Sequence, residues 1–369
     1  MVRQILAGIM GGVHYPPHEL NSLGDALLDG ARDEGVEALV KHRLAGQPGV
    51  NPQLTAHFAA PVRDRAVTAM LFEAEARRVL AVLGEAAIPL LLLKGSALAY
   101  WLYATPYLRD CADIDLLFSS RADAEHAAAL LAPHGYELEH PASDLAYEMP
   151  CYLKREGVRR LELDMHWRLS NAPFLANTFA FEELLARSIS VSRLGPHARG
   201  LSPPDALIHA CMHRALNLFF EADGDRLKWL YDIHLLCASL ASLEWTALLE
   251  ACHGRGLHGI CLDGIEAASA EFGTVVPAGV LDALSAGSRC EPLDAKRLRS
   301  WTYLHLRNLE ALPNLRTRVR WIGQQVFLPL PTMRARYGND GDSLWLLHWQ
   351  RVLRASRHLK AWAIRKVGL

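Results

Sequence analysis

The sequence lacks a long hydrophobic run: Ala86–Leu93, an uncharged apolar burst, falls far short of the roughly 20 residues needed to span a bilayer. The first residues carry no n-, h- and cleavage-region pattern of a secretory signal, so neither membrane insertion nor export is expected. An excess of one charge is also missing. Lys and Arg number 39 against 40 Asp and Glu, a formal net charge of -1, so no global field steers the chain toward nucleic acid or anionic lipid. Cysteine is sparse and unpatterned: seven residues, an odd number without CxxC spacing, argue against a disulfide framework or a zinc knuckle and fit reduced cytoplasmic thiols. There is no fixed-period repeat and no low-complexity tract. Neither the G-x-x-x-x-G-K-[ST] phosphate loop nor the H-R-D and D-F-G kinase signatures occur.

What is present is 369 residues with an apolar fraction of 51% and a charged fraction of 21%, enough for one large or two medium folded domains. The charge is unevenly spread. Residues 289–369 carry a local excess of +11, leaving -12 for residues 1–288, so an anionic surface, if one docks, docks at the C-terminal segment. There Arg351, Arg354, Arg357 and Lys360 recur at three-residue steps beside Trp349, Leu353 and Trp362 in a helix expected near 343–365. The stripe suits either the acidic body of the same chain or RNA. The absence of RNP, KH, helix-turn-helix and zinc-finger signatures favours the first.

Patterning divides the chain into an N-terminal helical region (1–85), an α/β core (86–200) and a C-terminal helical part (201–369). His14-Tyr15-Pro16-Pro17 stops a first element, and one or two helices follow from Leu20 to Leu44. Val67, Met70, Leu71, Ala74, Val79, Leu80 and Leu83 recur at helical spacing between Pro61 and Gly84 and predict an amphipathic helix. Ile88–Leu93 reads as a buried strand, Lys94-Gly95-Ser96 as a turn, and Ala97–Tyr103 as a helix. Ala112–Phe118 reads as a second strand, followed by a helix from Arg121 to Leu131 capped by Ser120 and closed by Gly135. Glu148–Lys154 and Val158–His166 form an expected hairpin around Arg155-Glu156-Gly157. Beyond Pro203-Pro204 the pattern is helical, with helices expected near 204–219, 225–241, 244–254, 257–270 and 292–311.

Side chains two apart on a strand point the same way, so Asp113 and Asp115 share one face and Ile114 and Leu116 the other. Two close carboxylates repel unless a divalent metal or a positive side chain compensates them, and Mg²⁺ is the hard, oxygen-seeking ion for such a site. If strand 158–166 pairs beside strand 113–118, Asp164 adds a third acid to that face, enough for two metals. Against this stands a structural reading: Asp113 turning the chain, Asp115 on a wet edge, Asp164 paired with Arg168.

The combination of Leu-Leu-Leu-Lys-Gly-Ser at 91–96, Arg109, Asp-Ile-Asp-Leu-Leu at 113–117 and Glu-Leu-Asp-Met-His-Trp at 162–167 resembles the nucleotidyltransferase superfamily of DNA polymerase beta and the antibiotic-modifying adenylyltransferases. More closely, it is similar to a broad bacterial group of uncharacterised nucleotidyltransferases. The likeness covers about 86–240, with Tyr337-Gly338 as a further point toward the C-terminus. It implies an α+β fold: a small mixed sheet flanked by helices, the polymerase beta-like core, joined to a larger helical part. It also implies a Gly95-Ser96 turn gripping the triphosphate, Asp113, Asp115 and Asp164 holding two Mg²⁺ ions for which Mn²⁺ substitutes, and Asp164 helping to deprotonate the attacking hydroxyl. The backbone N–H groups after Gly95 and the Ser96 hydroxyl are natural phosphate donors.

Several residues carry two readings. Lys94 either binds phosphate or covers apolar surface with its stem. Arg109 either neutralises a phosphate oxygen or pairs structurally with Asp110 or one of the acids. Lys228 and Asp232, four apart on a helix, by the same resemblance touch phosphate and orient it or the acceptor, or else form a plain ion pair on a solvated helix. His209 and His213, one turn apart without the Glu of H-E-x-x-H, are a zinc site or, preferably, helix packing or a cleft wall. His166 is in phase with Asp164 and within reach of an acceptor hydroxyl or phosphate, but is not needed as the base.

The expected activity is transfer of a nucleoside monophosphate, AMP from ATP by default, to a hydroxyl on a small molecule, peptide or protein, with pyrophosphate leaving. A catalytically silent nucleotide-sensing or partner-binding module on the same fold is one alternative. An RNA-directed transferase or RNA-binding protein is another.

Overall fold

A computed structural model describes the chain except residues 46, 48, 139–141, 155–160, 219–224, 327–342, 344, 346–348 and 350–369. The expected hairpin turn at 155–157, the Tyr337-Gly338 pair and the basic stripe from Arg351 to Lys360 lie outside the described residues. Two compact units are distinguished, Met1–Asn308 and Leu309–Leu369. The boundaries at 85/86 and 200/201 fall inside the first.

The first unit begins with five helices, α1 (Val2–Met10), α2 (Pro17–Leu23), α3 (Asp25–Asp33), α4 (Glu37–Leu44) and α5 (Pro52–His57), so three short helices stand where one or two were expected between Leu20 and Leu44. The long α6 (Ala59–Glu85) follows. Only its C-terminal half obeys the amphipathic pattern: Ala76, Val79, Leu80 and Leu83 are buried, whereas Val67, Met70 and Leu71 are more than half exposed. The periodicity is right for a helix, and Val62 in its first turns is buried against the N-terminal helices, but the stretch that carries Val67, Met70 and Leu71 faces outward.

The core is β1 (Leu90–Leu92), α7 (Lys94–Trp101), β2 (Asp113–Phe118), α8 (Arg121–Leu131), β3 (Tyr136–Leu138), β4 (Glu148–Leu153) and β5 (Leu161–His166). Next come α9 (Pro173–Ala176), α10 (Phe181–Arg187), β6 (Ile189–Ser190) and β7 (Arg199–Gly200). The seven strands form one mixed sheet in the order β3-β4-β5-β2-β1-β7-β6. Three short strands, β3, β6 and β7, widen it beyond the four read from sequence; segments of two or three residues carry no measurable alternation. The Lys94-Gly95-Ser96 turn proves to be the opening of α7 itself. As expected, the Ser120 hydroxyl caps α8, accepting from the Asp123 backbone N–H at 3.1 Å. Gly135 closes the segment at φ 92°, where a Cβ is disfavoured.

Strand alternation separates two environments. Ile114, Leu116 and Phe118 join Leu163 and Met165, with α6 and α8, in one core. Leu91, Leu93 and Leu117, on the other face, join the core of the helical part. That part contains α11 (Pro203–Asn217), α12 (Leu227–Ser239), α13 (Ser242–His253), α14 (His258–Phe272), α15 (Val280–Ser288) and α16 (Trp301–Ala311). The single helix expected at 292–311 is a 3₁₀ turn, Ala295–Arg299, followed by α16, and α15 was not foreseen. Each fully buried Leu or Ile contributes about 1.5–3 kcal/mol, so these two cores press the sheet from both sides and fix the strand carrying the acids. In the second unit, α17 (Leu315–Val326) is likewise beyond the sequence expectations. No described helix is long and apolar enough to cross a membrane.

Candidate active site

The parallel pairing of β2 with β5 aligns Asp113 with Glu162, Asp115 with Asp164, and Leu117 with His166. All three expected acids therefore lie on one face of two adjacent strands. Opposite β5, antiparallel β4 places Glu148 beside His166. The ligand atoms of Asp115, Asp164 and His166 lie within 4.8 Å of one another. Asp113 sits two residues before Asp115 on the same face, outside that tight group.

Asp115 is 1% exposed, and its Oδ1 accepts from Lys94 Nζ at 2.5 Å and contacts His166 Nε2 at 3.0 Å. Burial alone would raise its proton affinity, but these two neighbours hold the carboxyl well below the ordinary range. Burial likewise opposes the charge on Lys94, yet Asp115 keeps the amine above its usual value. The remaining acids have less relief, the charges of Lys94 and Lys228 offsetting only part of the push on Asp113. Burial, with Asp115 next, pushes Asp113 up to about 6. Burial and then the charges of Asp115, Glu148, Asp113 and Glu162 push Asp164 up to about 8. His166 Nδ1 is buried without a hydrogen bond, although Glu148 Oε2 is 3.1 Å away. A face that forces protons onto its carboxylates and orphans an imidazole nitrogen is short of positive charge. The two carboxylates suit Mg²⁺ or Mn²⁺, and the imidazole beside them is a ligand for a divalent transition ion rather than for Mg²⁺.

The Gly95 turn adjoins this face. A Cβ at Gly95 would lie 2.7 Å from Cys111 Sγ and 3.2 Å from Arg109 Nη1, so only glycine lets the loop before β2 close over the turn. Lys94 adopts φ 49°, a left-handed conformation that costs a non-glycine residue of order 1–3 kcal/mol; its bond to Asp115 accompanies that strain. Ser96 does not line the cavity. Its hydroxyl donates to the Leu93 carbonyl at 2.6 Å and accepts from the Asp115 N–H at 3.2 Å, tying turn to strand.

Arg109 and Asp232 are joined to each other. Arg109 Nε donates to Asp232 Oδ1 at 2.8 Å and Nη2 to Oδ2 at 2.7 Å, while the Tyr103 hydroxyl donates to Oδ1 at 2.7 Å. Both side chains are nearly buried. Of the two sequence readings for Arg109, structural pairing is what the geometry shows, though the partner is Asp232 on α12 rather than a neighbouring acid. This leaves Lys228 without an ion-pair partner among the described residues. Burial, and then the Arg109 charge, lower its amine.

Lys94, Gly95, Arg109, Asp113, Asp115, Lys228 and Asp232 all line one cavity of about 200 Å³ between α7, β2 and helices α11 and α12. His209, His213, Trp101 and Trp229 line it as well. The cleft-wall reading of the two histidines thus holds, and no metal-ligating group among the described residues includes them. Sequence reasoning passed over Glu148 and Tyr103, which declare themselves only through strand register and through the α12 contact. It named His166 without giving it a ligand role; the i, i+2 phase with Asp164 was the available signal.

The seven-stranded mixed sheet flanked by helices, with in-register carboxylates beside the Gly95-Ser96 turn, is consistent with the α+β polymerase beta-like nucleotidyltransferase core that the sequence led us to expect. Residues 24–273 match the model of a family described as uncharacterised nucleotidyltransferase, and the chain belongs to that family. Membership and the Asp115–Asp164–His166 cluster together support a metal-dependent nucleotidyl-transfer activity. Among solved structures, the chain is similar to the antibiotic-resistance factor ANT(2'')-Ia in solution, at 17% identity and a TM-score of 0.35, over 51% of this chain and 94% of that one. It is also similar to an antigenic nucleotidyltransferase-like protein from Paracoccidioides brasiliensis, at 15% identity and a TM-score of 0.34, over 57% and 95% of the two chains. No curated protein matches its sequence.

Proposed function

We propose that the chain transfers a nucleoside monophosphate, AMP from ATP by default, to a hydroxyl of a small-molecule, peptide or protein acceptor. The observation that carries this reading is the register of Asp115 against Asp164, on the strand face where Asp113 and Asp115 line a cavity together with Lys94 and Gly95.

Asp115, Asp164 and His166 would hold one divalent ion, with Asp113 extending the set toward a second. The ions supply charge neutralisation at the α-phosphate and on the leaving pyrophosphate. The triphosphate would lie over the N-terminus of α7, where the Gly95 backbone, Lys94 and Lys228 offset its charge. Asp164 is the most basic carboxylate of the cluster and would take the acceptor's proton. The acceptor oxygen bonds to the α-phosphorus, the bond from that phosphorus to the bridging oxygen breaks, and pyrophosphate departs with both electrons of that bond. Arg109 and Asp232 would act as positioning residues, fixing α12 and thereby Lys228 against the turn.

Asp115→Asn and Asp113→Asn keep side-chain shape but remove ligand charge, so Mg²⁺-dependent pyrophosphate release from ATP with a panel of hydroxyl acceptors should vanish while the fold persists. Turnover equal to that of the unsubstituted protein would refute the metal role. One observation favours a second reading: Asp115 already receives an ammonium group from Lys94, as it would in a nucleotide-sensing module that has replaced its ion. NTP binding that is indifferent to Mg²⁺, with no pyrophosphate released, would select that module instead.

A further inference from the structure

The N-terminal helices supply none of the acids, yet they hold the start of α12, which delivers Lys228 to the cavity. Leu227 and Tyr231 of α12 are buried in one core with Leu6, Leu39 and Val40, and Arg43 Nη2 donates to the Tyr231 hydroxyl at 3.2 Å. The turn between α3 and α4 meets α12 at its first residues. Glu34 Oε2 accepts from the Leu227 backbone N–H at 2.7 Å, satisfying one of the donors that a helix start leaves unpaired and setting a negative charge at the positive end of its dipole. Glu34 is itself ion-paired with Arg3 of α1, whose Nη2 also lies 3.8 Å from Glu271 Oε2 on α14.

Gly35, the next residue, is buried and adopts φ 68°. Its N–H donates to the Arg32 carbonyl at 3.0 Å, and the Val36 N–H donates to the Ala31 carbonyl at 2.9 Å, the paired bonds by which a left-handed residue ends a helix. That conformation favours glycine. A second demand is independent of it: a Cβ at Gly35 would lie 2.9 Å from Lys228 Cδ and 3.5 Å from both Cε and Nζ. The Lys228 stem thus runs against the bare backbone of the turn, in space that exists only because residue 35 has no side chain.

Among the cations that line the cavity, Lys94 is bonded to Asp115 and Arg109 to Asp232, so Lys228 carries the charge that no carboxylate among the described residues claims. The attraction it offers an anion falls with distance, and the rest position of its amine therefore sets what a polyphosphate meets. Resting on the nucleotidyl-transfer reading above, we propose that Glu34 and Gly35 are positioning residues for that reaction: the α3–α4 turn is a fixed stop against which the Lys228 stem is laid, so that the N-terminal helices set the reach of this amine.

The test is calorimetric binding of inorganic tripolyphosphate with Mn²⁺, paired with trace acetylation of Lys228, read by mass spectrometry against the exposed Lys296. Gly35→Ala should weaken tripolyphosphate about tenfold, the scale of one charge-assisted hydrogen bond, and change the acetylation rate of Lys228 about threefold or more. In a Lys228→Met background the same substitution should cost nothing further, because its effect passes through the amine. Gly273→Ala is the control: Gly273 has φ 62° and a Cβ there meets nothing within 4 Å, so it imposes the backbone strain alone and should leave both readings unchanged. Glu34→Ala should reproduce the loss, and Glu34→Gln, which keeps an acceptor for the Leu227 N–H, should recover part of it. Should Gly35→Ala fail to fold, Gly35→Asn, which tolerates the left-handed turn but brings a Cβ, decides together with Glu34→Ala. Unchanged affinity and acetylation in Gly35→Ala, equal losses with and without Lys228, or the same loss in Gly273→Ala would overturn the proposal and leave the transfer site standing. Failure of both ATP and tripolyphosphate to bind the unsubstituted protein would instead remove the transfer reading, and with it the role in the reaction, whereas the acetylation contrast between Gly35→Ala and Gly273→Ala would still report whether the turn sets the amine.

Discussion

Asp164 allows the cost of the metal face to be measured directly. In the metal-free protein its carboxyl is raised from 3.8 to about 8. A carboxyl whose affinity for protons rises on folding contributes stability that is full below its unfolded value and is lost as pH climbs toward its folded one. At about 1.4 kcal/mol per pH unit, the loss by neutral pH is about 4 kcal/mol at most, and solvent screening of this partly exposed group halves it to about 2 kcal/mol. Asp164→Asn removes that penalty. In chelator, the variant should melt about 4 °C above the unsubstituted protein near neutral pH, at about 2 °C per kcal/mol for a chain of this size, and the gap should close near pH 4. Mn²⁺ should reverse the order, because an ion at a hundred times its dissociation constant adds about 3 kcal/mol only where all its ligands are present. Thermal melts across pH, with and without the ion, provide the assay. A variant that melts lower than its parent in chelator, or equal stabilisation of both by Mn²⁺, would refute the argument.

Three further outcomes follow from the geometry. Gly95→Ala forces a Cβ against Cys111 and Arg109, so nucleotide affinity or turnover should fall on the order of a hundredfold, and Cys111→Ala should return part of the loss in a double-variant assay. Arg109→Met strands the buried Asp232 carboxylate and should cost about 3–5 kcal/mol in urea unfolding, whereas Arg109→Met combined with Asp232→Leu should recover most of it; additive losses would show that the pair is not coupled. Below about pH 6.5 His209, neutral when folded, gains its proton only on unfolding. Stability should therefore decline from pH 6.5 toward about 3, and a difference profile against His209→Leu should isolate that slope of up to about 1.4 kcal/mol per unit; parallel profiles would count against it.

The legible part of the molecule was the part governed by short-range rules. Alternation in Asp113–Phe118 and Leu161–His166 declared which face the acids share, the cap at Ser120 set the start of α8, and the left-handed Gly135 closes the 3₁₀ turn, Ala132–His134, that follows it. What sequence did not carry was depth and pairing. Val67, Met70 and Leu71 have the spacing of a buried stripe, yet only a neighbouring layer makes a stripe buried. Asp232 and Lys228 look like a surface pair at i, i+4, but Arg109, 123 residues away in the chain, claims the carboxylate through contacts that no local pattern encodes. The α+β class and the face shared by the three acids were therefore readable, whereas the place of His166 beside Asp115 and Asp164 and the division of labour among the cations were not.

The Ser96 hydroxyl, bridging the Leu93 carbonyl and the Asp115 amide, makes the turn at Gly95 and the strand bearing Asp115 a single mechanical part. A ligand that tugs on one end displaces the other in step. On the proposed transfer function, a triphosphate held over the start of α7 would meet carboxylates already aligned with it before it arrives, leaving adjustment to the helices that complete the cavity.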